Sequence, residues 1–285
     1  AKVVKSFGQA TRAAACCEAI LNLNGVTPEF PAQVLEEAKF LAQRGIRNKE
    51  LLNREDLRNE SIFTIDGADS KDLDDAISLV KYEDCYVLGV HIADVSYYVR
   101  EKTALDEEAL RRGTSIYYAN KVVPMLPKEL SNGICSLNPN EERLAFSAIM
   151  TLSRDGKLLD YDFKKSVICS RVKGVYSEVN EILSGTASEG ILTKYQEVLH
   201  VIPLMKELSD ILHRNRKLRG APDIDTAESK LILDEKDRII DVIPRRRGEA
   251  EEMIEEFMLT ANEAAATLAK KLQIPFVYRV HEYPD

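Results

Sequence analysis

One stretch constrains this chain more than any other: Thr64-Ile65-Asp66-Gly67-Ala68-Asp69-Ser70-Lys71-Asp72-Leu73-Asp74-Asp75-Ala76-Ile77. It carries five aspartates in the ten residues from Asp66 to Asp75. Ile62, Phe63 and Ile65 lead into it, and Ala76, Ile77, Leu79 and Val80 lead out. A solvated acidic turn has no need of apolar, strand-like residues on both sides. The pattern predicts that the chain enters the core, turns and leaves again, carrying its carboxylates with it. Carboxylates crowded in this way ionise together only when a cation neutralises them. No His or Cys stands among them, so the donors are hard oxygens, which suit Mg²⁺ or Mn²⁺ rather than zinc.

A calcium EF-hand is excluded by spacing, since that loop needs Gly at position six and Glu at position twelve. Counting from Asp66, those places hold Lys71 and Ile77; counting from Asp72, they hold Ile77 and Glu83. The plain alternative, an acidic surface turn, stays open at this level. Two metal ions held by carboxylates activate water and stabilise a leaving oxygen in phosphodiester hydrolysis. In extended backbone Asp72 and Asp74 share one side and Asp75 takes the other. A turn would instead gather them round one cation, and the spacing allows both.

The rest of the chain sets the background. Its 285 residues are enough for one large domain or two smaller ones. With 45% hydrophobic and 30% charged residues the composition is that of a soluble globular protein. No apolar run approaches the roughly 18 residues of a membrane span, and no secretory signal follows Ala1-Lys2-Val3-Val4-Lys5-Ser6. The cysteines (Cys16, Cys17, Cys85, Cys135, Cys169) are odd in number and form no CxxC pair. That suggests neither a disulfide framework nor a zinc site, and a reducing cytoplasm is the expected home. A net charge of −8 argues against a protein that coats nucleic acid, but not against an enzyme with a local basic channel.

In chain order, helices are expected over 10–23 and 33–44, the second with Val34, Leu35, Ala38, Leu41 and Ala42 on one stripe and Gly45 as its stop. A charged connection follows to residue 60. Residues 76–80 and 86–99 read as strands paired through a turn near 81–84. A helix over 103–112 has Thr103 as its N-cap, and 116–123 reads as a strand stopped by Pro124. Strands over 145–153 and 158–167 meet at Asp155-Gly156. Next come a short helix over 177–183, a loop over 184–190 and a helical pattern over 192–219 despite Pro203. A hairpin is expected over 230–242 with its turn at 234–237. The clearest helix runs over 249–272, with Met253, Ile254, Phe257, Met258, Ala261, Ala265 and Leu268 on its apolar face. Glu255 and Asn262 edge that stripe, and for Glu255 a capping or ion-pair role is the plain reading. Arg111-Arg112, Arg171 with Lys173, Arg214 to Arg219 and Arg245-Arg246-Arg247 are basic clusters, each either a solvated face or a phosphate contact.

Several blocks together resemble the RNB family of exoribonucleases, the ribonuclease R branch more than the ribonuclease II branch. They are Asp66 to Asp75, Gly89-Val90-His91-Ile92-Ala93-Asp94-Val95-Ser96-Tyr97-Tyr98-Val99, Pro124-Met125-Leu126-Pro127, the stretch Leu130 to Pro139, and Glu255 to Asn262. They run in the family's order from about Ile62 onward. The resemblance implies an α/β fold of α+β type, with a twisted, mostly antiparallel sheet, packed helices and the acidic loop at its centre. It implies a helical leader over 1–60 and the N-terminal portion of the RNB catalytic domain over 61–285. It matches Asp66, Asp72, Asp74 and Asp75 to the family's catalytic, metal-holding aspartates and leaves Asp69 outside them. Tyr117, seven residues before Pro124, matches a tyrosine that stacks on the 3′-terminal nucleotide, and Glu255 a glutamate near the 3′ end of the RNA.

The activity so implied is Mg²⁺-dependent (or Mn²⁺-dependent) 3′-to-5′ hydrolysis of single-stranded RNA to nucleoside 5′-monophosphates. Two departures stand against the family pattern. Ile224 occupies the place of an aromatic residue. The chain also stops at Tyr283-Pro284-Asp285, before a segment whose arginine contacts the scissile phosphate and without cold-shock or S1 modules. The alternatives are a non-catalytic RNA-binding or scaffold module of the same fold and a phosphodiesterase acting on DNA.

Overall fold

The computed structural model describes residues 3, 5–9, 12–118, 121–221, 228–234, 238–245 and 247–280. The chain divides into two compact units, each assembled from three separate segments. One comprises Ile46–Asp94, Cys135–Asp223 and Gly248–Asp285; the other comprises Ala1–Gly45, Val95–Ile134 and Ile224–Arg247. Residues 46–60 thus group with the sheet that follows them, and Val95–Ile134 and Ile224–Arg247 group with Ala1–Gly45.

The first of these units is built on a five-stranded sheet in the order Glu55–Asp56, Leu158–Cys169, Glu142–Ser153, Cys85–Ala93, Asp75–Lys81. Every neighbouring pair is antiparallel except the first, which is parallel. The mostly antiparallel sheet with packed helices is therefore the architecture the sequence implied. The two hairpins form where turn residues sit. Asp75–Lys81 pairs with Cys85–Ala93 in the register Ile77↔Val90. Glu142–Ser153 pairs with Leu158–Cys169 round a turn in which Gly156 takes φ +79°, a conformation that suits glycine.

Strand residues alternate between faces. Ile77, Leu79, Tyr86, Leu88, Val90, Ala148, Met150 and Leu152 bury one face against the helices Ile202–Leu218 and Glu249–Leu272. Those helices supply Met205, Leu208, Met253, Ile254 and Phe257 to the same core. Each Val, Leu, Ile, Phe or Met side chain buried in this way contributes about 1.5–3 kcal/mol relative to exposure. On the other face runs a buried polar ladder. His91 Nε2 lies 3.0 Å from Ser78 Oγ, His91 Nδ1 lies 2.7 Å from Ser147 Oγ, and Ser147 Oγ lies 2.6 Å from Ser166 Oγ. Burial pushes the His91 imidazole down to about 3, so it serves as a neutral hydrogen-bonding link.

Arg54 pins the entering segment to this sheet. Its Nη2 meets Asp94 Oδ2 at 2.5 Å, both side chains being 4% exposed. Its Nη1 donates to the carbonyls of Ala145 and Ser166.

Three expected elements change. The strand expected over 86–99 stops at Ala93, where the ladders on both sides end, and Val95–Tyr98 forms a helical turn instead. The helix expected over 192–219 is two: Glu189–Lys194, capped by Ser188, and Ile202–Leu218. Pro203 is the reason, since it lacks an N–H and fits a helix only in the first turn. The loop expected over 184–190 accordingly gives up its last two residues to the short helix.

The other unit contains the helices Ala13–Leu23, Ala32–Arg44 and Ala104–Arg112. Val34, Ala38 and Leu41 are buried, as their spacing predicts, and Phe40 is exposed. Thr103 Oγ1 caps the third helix by accepting from Asp106 N. The strand expected over 116–123 is a small hairpin, Ile116–Tyr118 with Lys121–Val123. Glu228–Leu233 and Ile239–Arg245 form the expected second hairpin; its turn at 235–237 lies outside the described residues, as do Ile224, Arg246 and residues 281–285. Among the described residues no helix is long and apolar enough to cross a membrane.

Candidate active site

The acidic loop leaves and re-enters the core at one point. Phe63 N donates to Ile77 O at 3.1 Å, and Ile77 N donates to Phe63 O at 2.9 Å. Ile62, Phe63, Ile65, Ala76 and Ile77 are all buried, and Leu73 anchors the loop midway at 1% exposure. The apolar bracket read in the sequence is thus the base of a closed loop.

The strand Thr64–Asp66 brings in the first aspartate. It runs parallel to Lys173–Val175, with Asp66 opposite Val175. The two backbones approach so closely at Gly174 that a Cβ there would stand 2.3 Å from Thr64 O. Asp75 begins the strand that leaves the loop and lies opposite Ile92. Ala93 N donates to Asp74 O at 2.9 Å.

The carboxylates feel one another. Asp66 is pushed up to about 7, first by burial and then by the charges of Asp75, Asp74 and Asp72, with Lys173 acting in the opposite sense. Asp74 reaches solvent on one side yet is pushed up to about 6, by desolvation and then by Asp72 and Asp75. Burial raises Asp75. Asp66 Oδ2 is buried with no hydrogen-bond partner. Asp69 is exposed and not among the charges acting on Asp66.

An unpartnered buried carboxylate oxygen is costly unless something neutralises it. The donor set is all oxygen, so Asp66, Asp72, Asp74 and Asp75 fit a hard divalent cation. Among the described residues no three His, Cys, Asp or Glu side chains already close on one point. The four are electrostatic neighbours, and like charges without a cation between them have no reason to draw closer.

The remaining expected residues fall in different places. Glu255 is half-buried on the helix Glu249–Leu272, in the same unit as the aspartates. Asn262 is exposed on that helix. Tyr117 belongs to the other unit, on the hairpin strand Ile116–Tyr118, and is 64% exposed.

The basic clusters are largely committed within the protein. Arg111 and Arg112 bind Glu108. Arg171 donates to Arg58 O, and Arg219 pairs with Glu263. His213 and Arg216 converge on Glu256, a carboxylate 3% exposed that its helical position alone did not reveal. Lys173 is the exception to a solvated reading in another way: it reaches over the acidic loop, donating to Ser70 O and Ala68 O. Neither Lys173 nor Ser136, which binds the same loop, carried a sequence signal for that contact.

Residues 54–285 match the RNB domain. A ribonuclease R of Thermotoga maritima is 49% identical over 259 residues, covering 90% of this chain and 36% of the relative. The chain therefore spans about a third of that relative's length. Among solved structures, Mycoplasma genitalium RNase R in complex with ribose-methylated single-stranded RNA superposes with a TM-score of 0.87 at 30% identity, over 98% of this chain and 43% of that one. Yeast Ssd1, described as a pseudonuclease, superposes with a TM-score of 0.62 at 19% identity, over 80% of this chain and 27% of that one.

Proposed function

The chain belongs to the RNB family, and on that premise we propose that it carries the catalytic aspartates of a Mg²⁺-dependent 3′-to-5′ exoribonuclease. The substrate is single-stranded RNA and the products are nucleoside 5′-monophosphates. Mn²⁺ is the alternative ion. The observation that carries this reading is the closed acidic loop, in which Asp66, Asp74 and Asp75 are raised by burial and Asp66 Oδ2 is buried without a partner. Fold alone does not carry it, because folds host many activities, and a pseudonuclease shares this one.

Asp66, Asp72, Asp74 and Asp75 would hold the ions. Bound there, divalent cations supply charge stabilisation at the scissile phosphate and a water acidic enough to attack it. The buried neighbours Ile65, Leu73 and Ala76 keep bulk water off one side of the loop. That strengthens every charge interaction within it. The attacking oxygen ends on the phosphorus and the 3′ oxygen leaves with a proton, so the released nucleotide keeps a 5′ phosphate.

By family resemblance Tyr117 would stack on the 3′-terminal base, a contact open to any base because each offers a π-face. Glu255 would lie near the 3′ end. The five cysteines are free thiols, which suits work in a reducing cytoplasm.

A time course on 5′-labelled single-stranded RNA tests the reading, with Mg²⁺ or EDTA and with Asp74→Asn as control. A metal-dependent ladder shortening from the 3′ end, absent in the control, is expected. RNA bound and protected but never shortened, by the complete protein in saturating Mg²⁺, supports the scaffold alternative. Equal turnover of a matched DNA strand removes the RNA specificity, since only the 2′-OH separates the two.

A further inference from the structure

The acidic loop is gripped by its backbone. Lys173 Nζ donates to Ser70 O at 2.6 Å and to Ala68 O at 3.3 Å. Ser136 Oγ donates to Lys71 O at 2.9 Å and accepts from Leu73 N at 3.0 Å. These four bonds fall on residues 68, 70, 71 and 73, in the span between Asp66 and Asp74. None of them uses a carboxylate oxygen.

Both gripping side chains are themselves fixed. Lys173 stands in register opposite Thr64, on a strand drawn in by the close approach at Gly174. Ser136 is fully buried. Its carbonyl accepts from Arg143 Nε at 2.7 Å, and the next residue ties back through Leu137 N to Leu73 O at 2.8 Å. The loop is thus fastened at two points by parts of the chain more than sixty residues distant in sequence.

We infer that Lys173 and Ser136 are positioning residues: by clamping the backbone of residues 68–73, through bonds that take none of the carboxylate oxygens, they preset Asp66, Asp72, Asp74 and Asp75 for a divalent cation. This rests on the cation-dependent reading of the loop. The physical gain is preorganisation. A loop already ordered loses less conformational entropy when its ligand arrives. A lysine suits the first clamp because its ammonium gives several donors to carbonyls that converge from different directions, and its charge is tolerated beside the aspartates. A serine suits the second because one hydroxyl both donates and accepts.

The test uses the complete protein with Lys173→Met, Lys173→Arg and Ser136→Ala. Hydrogen exchange of residues 67–73 is followed by mass spectrometry without metal. The Mg²⁺ concentration for half-maximal RNA hydrolysis is measured beside the KM for RNA. In Lys173→Met and Ser136→Ala, exchange of the loop is expected to rise by about tenfold or more and the Mg²⁺ midpoint by roughly tenfold to a hundredfold, the range for residues that support a metal ligand. The KM for RNA should stay within about twofold, and Lys173→Arg, which keeps the charge and donors but spreads them over a planar fork, should recover part of both quantities.

Loop exchange unchanged in Lys173→Met and Ser136→Ala overturns the inference. So does exchange that accelerates equally in the loop and in the helix Glu249–Leu272, or a fall in Tm with the Mg²⁺ midpoint unmoved. If the unaltered protein degrades RNA without any metal, the cation reading fails instead. Loop exchange and its rescue by arginine then decide the clamp on their own.

Discussion

The crossing of two helices and the acidic loop both hold carboxylates out of water, and they do so in opposite ways. At the crossing of Ile202–Leu218 with Glu249–Leu272, Glu256 meets Arg216 Nε at 2.9 Å and His213 Nδ1 at 3.0 Å. Its negative charge is answered by protein. In the acidic loop Asp66, Asp74 and Asp75 are raised by burial, and Asp66 and Asp74 also by neighbouring aspartates, and one oxygen of Asp66 has no partner. Lys173 acts against that charge at Asp66, yet its hydrogen bonds go to backbone carbonyls. Within one unit, then, the first carboxylate is a finished structural joint and the second group is left in deficit. A buried charge left uncompensated costs several kcal/mol, and the deficit lies where the proposed cation would act.

Substitutions in the two regions should therefore behave as opposites. The largest effect is expected in the loop. Asp74→Asn in the complete protein should lower RNA degradation by more than about a hundredfold, beyond the cost of losing a residue that merely supports a ligand. The labelled-RNA time course reads this, and a variant that keeps most of its rate would detach the loop from the chemistry.

At the helix crossing the expected loss is of stability. Glu256→Ala should cost about 3 kcal/mol, the low end for breaking a buried pair, because Arg216 and His213 keep some access to water. Urea unfolding monitored by circular dichroism measures it; a cost near zero would show that the joint is no stronger than a surface pair.

Asp66→Asn should do the reverse of Glu256→Ala and raise the Tm of the metal-free protein at neutral pH, while abolishing its stabilisation by Mg²⁺. The sign follows from linkage. The folded carboxyls of Asp66 and Asp74 hold their protons up to about 7 and about 6, above the ordinary aspartate value of 3.8, so between those values the folded state binds more protons than the unfolded. Stability of the metal-free protein must then fall as pH rises from about 4 through about 7. Mg²⁺ that binds only the folded state should recover it above that window. Thermal melts across pH with EDTA and with Mg²⁺ test both statements. A metal-free Tm that climbs through that range would contradict the proximity of these charges.

The smallest effect is expected at Asp69, which is exposed and outside the interacting set. Asp69→Asn should leave turnover within about twofold and Tm within about a degree, as surface charges usually do. A large loss would add a fifth carboxylate to the site.

Local pattern carried much of this protein. The aspartates' spacing between apolar flanks, the turn at Asp155-Gly156, the Thr103 cap and the long amphipathic stretch over 249–272 each depend on residues a few places apart. Backbone sterics and side-chain periodicity act at that range, which is why a closed acidic loop, three hairpins and the helix over 249–272 were legible. Where a local rule had a competitor, it failed: Pro203 began a helix instead of riding within one, and the strand leading to Val99 ended when its neighbours did.

Only the tertiary structure decided which charges meet. It set Arg54 against Asp94, buried Glu256 under Arg216 and His213, and laid Lys173 and Ser136 across the loop. Those partners come from 40 to 105 residues away, and their meeting depends on strand order and register. A residue's own neighbours in sequence do not hold that information: lysine beside arginine reads as a solvated pair until the parallel strands Thr64–Asp66 and Lys173–Val175 carry one of them onto the acidic loop.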